Sequence, residues 1–235
     1  MSFTKHRSPA LLKFWTNLRE VGTLISLSYV NETTPKQRDI NECLSRASML
    51  LLCSHVESFF EGLIVDILSF HENNQTPVSI LPIPLKVTQI LSKPLLDSLN
   101  PEKKWKILEE ISQNLLTDEN QKCKQGIFQE KLHLNGFASP GSSNVENLFK
   151  GIGISSIWSL VEQKAGNENS KIRLNVFVSR RNNITHGSSD DKPTIGDVRN
   201  YIRDMCLVVK IFNSIVTEYL INDFNVEDPW ENTSR

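Results

Sequence analysis

Residues 178 to 187 read VSRRNNITHG, a neighbourhood whose side chains are suited to moving a proton beside an anion. An imidazole such as that of His186 titrates near neutrality and can take or give a proton. Arg181 stays charged and grips an oxyanion as a planar fork, which suits it to stabilising charge that builds up during a reaction. Asn182 adds a neutral donor and acceptor, and Arg180 a second guanidinium. Spacing alone decides nothing, because a chain with 5 histidines and 10 arginines brings such pairs together by chance. On an ideal helix Asn182 and Asn183 share the face of His186, whereas Arg181 points about 140° away. The two functional groups therefore meet if the arginine bends round, if the helix ends between them, or if two subunits share one cleft. A purely structural reading also exists: basic residues near a helix C-terminus oppose its dipole, and Gly187 then caps it.

The elements that must position this stretch are helical by pattern. Leu11, Trp15, Leu18, Gly22 and Ile25 recur at intervals of three and four over residues 9–30, with Pro9 placed for a first turn. After the polar break NETTPK, a long helix is expected over 38–70, with Ile40, Leu44, Ala47, Leu51, Val56, Phe59, Leu63 and Ile67 as its core stripe. Prolines at 77, 82 and 84 break the chain, and a short helix follows that Pro94 ends or kinks. Asn100-Pro101 reads as a cap and first turn of a helix to about Leu116. Residues 117–142 form a long connection with room for a short strand or turn. Ser143 and Glu146 have the spacing of a capping box. Helices then follow over 155–166, 171–185 and from Ile195 or Asp197 to about Ile221, and 223–235 is expected to be a loose tail. The fold class is all-α: one helical bundle with long antiparallel helices and accessory short ones, spanning 1–235 with its core at about 38–222.

Composition narrows the classes further. Hydrophobic residues make up 39% of the 235, enough for a sizeable buried core, and the formal charge is −1. Near-neutrality argues against a protein that coats nucleic acid through many phosphate contacts, while leaving room for a local basic patch. The four cysteines are far apart with no CxxC pair, as expected of reduced thiols rather than a zinc knuckle or disulfide framework. The amino-terminal residues show no apolar leader, and the unbroken apolar runs are short for a bilayer. A cytoplasmic protein with no membrane contact is expected.

Other signals carry less. GIG at 151–153 is half a phosphate loop without a preceding strand or a following lysine. His55 and Glu57 have the H-x-E spacing of zinc deaminases but lack the P-C-x-x-C partner. PEKKWK at 101–106 surrounds a tryptophan with lysines, as many amphipathic helices do. His6, His71 and His133 have no companions at ligand spacing. Glu57 and Glu61, one turn apart, read either as a solvated stripe or, for Glu57, as a partner for the motif arginine on a neighbouring helix.

RNNITHG resembles the motif of the HEPN (higher eukaryote and prokaryote nucleotide-binding) superfamily: an arginine, a polar residue, spacers and a histidine at the end of a late helix. Arg181, Asn182 and His186 occupy those places. ASMLLLCSHVESFFEGLI, SSNVENLFKGIGI and the closing helix after GSSDD are similar to the branch of RiboL-PSP-associated HEPN proteins, so the likeness covers roughly 38–222. The resemblance implies an all-α homodimer with its active site at the interface, and a metal-independent RNA endonuclease without cofactor. His186 would act as base and acid and Arg181 as the phosphate-facing cation. Asn182 would orient the histidine or bind phosphate, and Arg180 would be a second phosphate contact or a surface charge. It also implies a toxin–antitoxin or phage-defence role with an antitoxin or other regulatory partner. Two readings stand against it: a non-catalytic module binding nucleotide or protein through the same cleft, and an adaptor docking through a large exposed apolar patch.

Overall fold

A computed structural model describes residues 5–90, 122–128, 130–134, 136–166, 169–187 and 191–231. The expected helix at 100–116, Pro94 and the PEKKWK lysines lie outside the described residues. Eight helices carry the described chain: α1 (Pro9–Ser26), α2 (Pro35–Asn73), α3 (Ile83–Ile90), the single turn α4 (Glu130–His133), α5 (Ser142–Lys150), α6 (Ile157–Ala165), α7 (Ser170–Thr185) and α8 (Ile195–Phe224). They form an all-α bundle. The extended backbone among the described residues is one isolated bridge, Pro77 to Lys122.

Chemistry at the ends sets the two amino-terminal helices. Ser8 caps α1 by accepting from the Leu11 amide, and Pro9 fills the first position where its missing N–H costs nothing. Thr34 and Gln37 form a reciprocal capping box ahead of α2, again with proline at the first position. The two helices run antiparallel and close. Asp66 of α2 accepts the Ala10 amide at 2.8 Å, and a Cβ on Gly62 would lie 3.1 Å from that of Ala10. From α8, Asn213 accepts the Ser8 amide at 2.9 Å, so α1 is pinned from two sides. Helix α1 ends four residues short of the expected 30, where Asn41 takes over: it accepts from the Tyr29 amide at 2.8 Å and donates to the Tyr29 carbonyl at 2.9 Å.

Over its first half, α2 departs from the expected stripe. Asn41, Ser45, Ser48, Met49 and Leu52 are buried, whereas Ile40 and Leu44 are only partly so, Leu51 packs at the edge of the core and Ala47 is exposed. The rotation follows from Asn41, whose amide satisfies the α1–α2 loop and so must face it. Farther on, Val56, Phe59, Leu63 and Ile67 are buried as expected. Helix α2 has a window long and apolar enough to cross a membrane, and 61% of that window is buried inside the protein.

Phe60 sits at the centre of the core, edge-on to Phe59, Phe149 and Phe212, the last at 4.9 Å between ring centroids. Two local expectations are corrected. Ser143 does not cap α5: the helix begins at Ser142, whose amide is accepted by Asn175 of α7 at 2.9 Å. Its intended partner Glu146 pairs with Lys150 and Lys171 instead. Nor are residues 225–231 a loose tail. Trp230 is 6% exposed and donates its indole N–H to Thr217 at 2.9 Å, while Asp228 meets His6 at 2.8 Å. An amphipathic indole with a partner for its N–H anchors the segment on α8.

Candidate functional site

Helix α7 positions the motif. It buries Leu174, Phe177, Val178 and Ile184 and runs antiparallel to α8, with Phe177 against Tyr201 at 5.4 Å. The helix does not break inside the motif. His186 is its C-cap, with its amide bonded to the Asn182 carbonyl at 2.9 Å, and Gly187 follows at φ 77° in the left-handed region that favours glycine. The expected helix stop is therefore where the sequence puts it, one residue past the histidine.

The two ends of the motif face different ways. Arg181 is partly buried and turns toward α2, donating to Asn182 Oδ1 at 3.0 Å and approaching Glu57 Oε2 at 4.0 Å. His186 is exposed, on the stripe Ile172, Val176, Ser179, Asn183 and His186, which repeats every three or four residues and is solvent-facing throughout. Of the three ways in which arginine and histidine could meet, a helix break between them is excluded.

Around Arg181 the surroundings are partly desolvated. Burial raises the Glu57 carboxyl above its ordinary value, Glu61 adds to this, and Arg181 opposes it. Cys53 lies within the same field, its thiol pushed up to about 11 by burial, with Arg181 pulling the other way. Such a thiol stays protonated and unreactive at neutral pH. His55 does not join Glu57. It is buried on the other side of α2, 3.3 Å from Glu20 of α1, so the H-x-E spacing brings no shared site together.

Arg180 is partly buried and engaged by two carboxylates. Its Nε donates to Asp191 at 2.7 Å, its NH2 lies 3.3 Å from Asp197, and its guanidinium stands 5.9 Å from the Tyr201 ring centroid. Burial works against its charge, but the bonds to Asp191 and Tyr201 and the nearby Asp197 hold its pKa above the ordinary arginine value. Asp191 also accepts from Asn183 at 3.2 Å. Together these contacts tie the residue that begins the next described segment back to the last turn of α7.

Sequence reasoning missed this clamp, although one part was visible: Thr194 and Asp197 have capping-box spacing, and both halves of the box form. It also missed Arg46 of α2, which points at the Ile184 carbonyl from 3.5 Å, at the negative end of the α7 dipole. Nothing in the pattern of α2 marks that residue, because the contact spans 138 positions. Among the described residues, no three His, Cys, Asp or Glu side chains gather as metal ligands would.

A model of the RiboL-PSP-HEPN family matches residues 17–218. The chain belongs to the RiboL-PSP-HEPN family. The matched span starts inside α1 and takes in Glu57 and the whole 180–186 motif. No curated protein and no solved structure matches this HEPN chain. The geometry within the HEPN bundle thus has to carry the functional reading: a restrained guanidinium beside α2, an exposed imidazole at the end of α7, and a clamp fixing the chain that follows.

Proposed function

We propose that this protein is a metal-independent RNA endonuclease whose working groups are Arg181 and His186, acting in a homodimer. The observation that carries this reading is the placement of an arginine and a histidine of the HEPN motif on one unbroken helix end, the first held by Asn182 and Glu57, the second free to reach a substrate. Cleavage of RNA without a metal needs a base for the 2′-hydroxyl, an acid for the departing 5′-oxygen and a cation beside the phosphorane. One imidazole takes the 2′-proton as that oxygen attacks phosphorus, and a second, protonated, gives its proton to the 5′-oxygen as the P–O bond breaks. The products are a 2′,3′-cyclic phosphate and a 5′-hydroxyl, and DNA, lacking the attacking oxygen, is inert.

A second imidazole comes from a second copy. His186 ends an exposed stripe on which Ile172 and Val176 are 58% and 52% exposed, a surface that a partner subunit would cover. A two-fold axis there sets two copies of His186 beside each other and supplies base and acid from one position. In the cytoplasm such an enzyme would attack its own cell's RNA, which fits a toxin–antitoxin or phage-defence role and a protein that restrains it. One observation favours the other reading. Within a single subunit Arg181 turns toward α2 while His186 faces solvent, so a chain that stays monomeric would be a non-catalytic module binding nucleotide or protein.

Incubation of total RNA with the wild type and with His186→Ala, both in EDTA, separates the two. Cleavage by the wild type alone, leaving cyclic-phosphate ends, supports the nuclease. Cleavage by neither, from a protein that sediments as a monomer, supports the binding module.

A further inference from the structure

Beside the motif, the α1–α2 loop, the start of α2 and the start of α8 enclose a cleft of about 410 Å³. Its position is fixed by contacts already described. Lys192 lines it and follows directly on Asp191, the residue that holds Arg180 and Asn183. Glu42 lines it too and meets Arg46, the arginine that points at the Ile184 carbonyl. The cleft and the end of α7 are therefore parts of one surface.

The lining has the composition of a site for an unpaired nucleotide. Tyr29 and Val30, 44% and 96% exposed, contribute aromatic and aliphatic surface to the lining. Arg38 enters from α2 and Arg199 from α8, and both are exposed with no carboxylate within 4 Å among the described residues. The two acidic residues of the lining are otherwise engaged: Glu42 with Lys192 at 3.0 Å, and Glu32 as acceptor for Asn41 at 2.8 Å. An exposed tyrosine and two guanidiniums without carboxylate partners lining one cleft match a base and its flanking phosphates better than they match an isolated anion, which would have no use for the tyrosine. A base held in a duplex could not reach that ring.

We propose that this cleft is a binding subsite for single-stranded RNA, with Tyr29 stacking on a base and Arg38 and Arg199 holding the phosphates on either side. This rests on the nuclease reading for its ligand class. It gives that reading something the motif lacks: a way for a near-neutral protein to select an unpaired region of RNA without coating it with charge.

The test uses binding rather than cleavage. A short fluorescein-labelled single-stranded RNA is titrated against full-length His186→Ala protein over a range of salt, with anisotropy as the readout. Added Arg38→Gln and Arg199→Gln together should weaken binding on the order of tenfold and flatten the salt dependence by about 1.4 in the log–log slope, the share of two phosphates on a single strand. Tyr29→Ala should weaken it about tenfold with the salt slope unchanged, and Tyr29→Phe should restore it. Arg7→Gln with Arg19→Gln, removing the same charge elsewhere, is the control.

If the two arginine pairs behave alike, or if the His186→Ala protein does not bind the probe, the subsite is overturned. Intact EDTA-resistant cleavage alongside that result would leave the nuclease standing. Specific binding loss in a protein that cleaves nothing would keep the subsite and remove the nuclease.

Discussion

The carboxylate of Glu57 on α2 stands 4.0 Å from the guanidinium of Arg181 on α7, and both are more than two-thirds shielded from solvent. A contact this long is not a tight bidentate pair. In the proposed nuclease it would hold the arginine in place while leaving part of its fork available for a stronger oxyanion. For such a role the protein keeps a carboxylate where burial disfavours its charge.

Replacement of Glu57 by Gln should separate stability from activity. Burial, then Glu61, raise the folded pKa, so the folded state binds the proton more tightly than the unfolded chain does. The resulting destabilisation is complete above the raised value, shrinks as pH falls through it, and vanishes below the ordinary value near 4.5. Glu57→Gln should accordingly melt higher than wild type at pH 7 and alike at pH 4. Its kcat for RNA cleavage should drop about tenfold or more as Arg181 loses its orientation, with KM little changed. A variant that is more stable and equally active would remove Glu57 from the site.

Arg180 and Asp191 should matter without touching substrate. Arg180→Gln breaks the bonds to Asp191 and Asp197 and so frees these two residues from the end of α7. About 1–3 kcal/mol of stability should be lost in thermal melts, because two carboxylates lose a charged partner in a half-buried setting. Asp191→Asn, which keeps the shape and removes the charge, should show the same direction with a smaller loss. If Arg180→Gln instead weakens RNA binding and leaves stability untouched, the residue is a phosphate contact and not a clamp.

Much of the fold was legible from helical period and from some helix ends: Pro9 at a first position, Gly166 and Gly187 as stops, whereas Thr34, Pro35 and Gln37, which begin α2, had read as part of a polar break. What failed did so for tertiary reasons. The inward face of early α2 is set by Asn41 serving a loop, against the vote of the apolar residues. The cap of α5 comes from Asn175, and the tail is held by Trp230 finding Thr217 across α8. At the candidate site, Arg181, Asn182 and His186 could be named only through the family resemblance, since their spacing alone decides nothing. Arg46, Asp191 and the cleft lined by Tyr29 could not, since they become neighbours only when α2, α7 and α8 are packed.

The GIG at 151–153 offers a sharp contrast between two glycines. Gly153 has φ 97°, and a Cβ there would lie 2.5 Å from that of Pro82. Gly151 has ordinary helical angles of φ −62° and ψ −22°. Gly153→Ala should cost about 2–4 kcal/mol in chemical denaturation, combining left-handed strain with overlap, whereas Gly151→Ala should be near neutral. Equal effects would mean that the close approach to Pro82 does not exist in solution.

Acid should loosen this protein well above the carboxylate range. Burial lowers His71 from 6.5 to about 3 and His133 to about 4, so both are neutral in the fold and take up protons on unfolding. Their stabilising effect is complete above pH 6.5 and is lost as pH falls toward those values, at about 1.4 kcal/mol per pH unit for each histidine. His71 packs against Phe70 and Phe224, so His71→Phe should keep the packing and flatten the slope between pH 6 and 4.5 by about 1.4 kcal/mol per pH unit. Urea midpoints across that range provide the reading, and a wild-type curve flat down to pH 5 would contradict it.

Whether two copies of His186 share one site can be decided by mixing. His186 is exposed at the end of the Ile172–Val176 stripe, and the proposed dimer would bring one copy from each subunit. If base and acid come from different subunits, a dimer with one wild-type and one His186→Ala chain lacks one proton carrier and is inactive. After co-refolding at varied ratios, cleavage should then fall as the square of the wild-type fraction, whereas independent sites would give a straight line. Ile172→Asp with Val176→Asp should turn the dimer into a monomer by sedimentation and abolish cleavage, even though every His186 and Arg181 remains in place. Retained activity in that monomer, together with a linear mixing curve, would place the whole reaction within one chain and force Arg181 to swing away from Glu57 to reach its histidine.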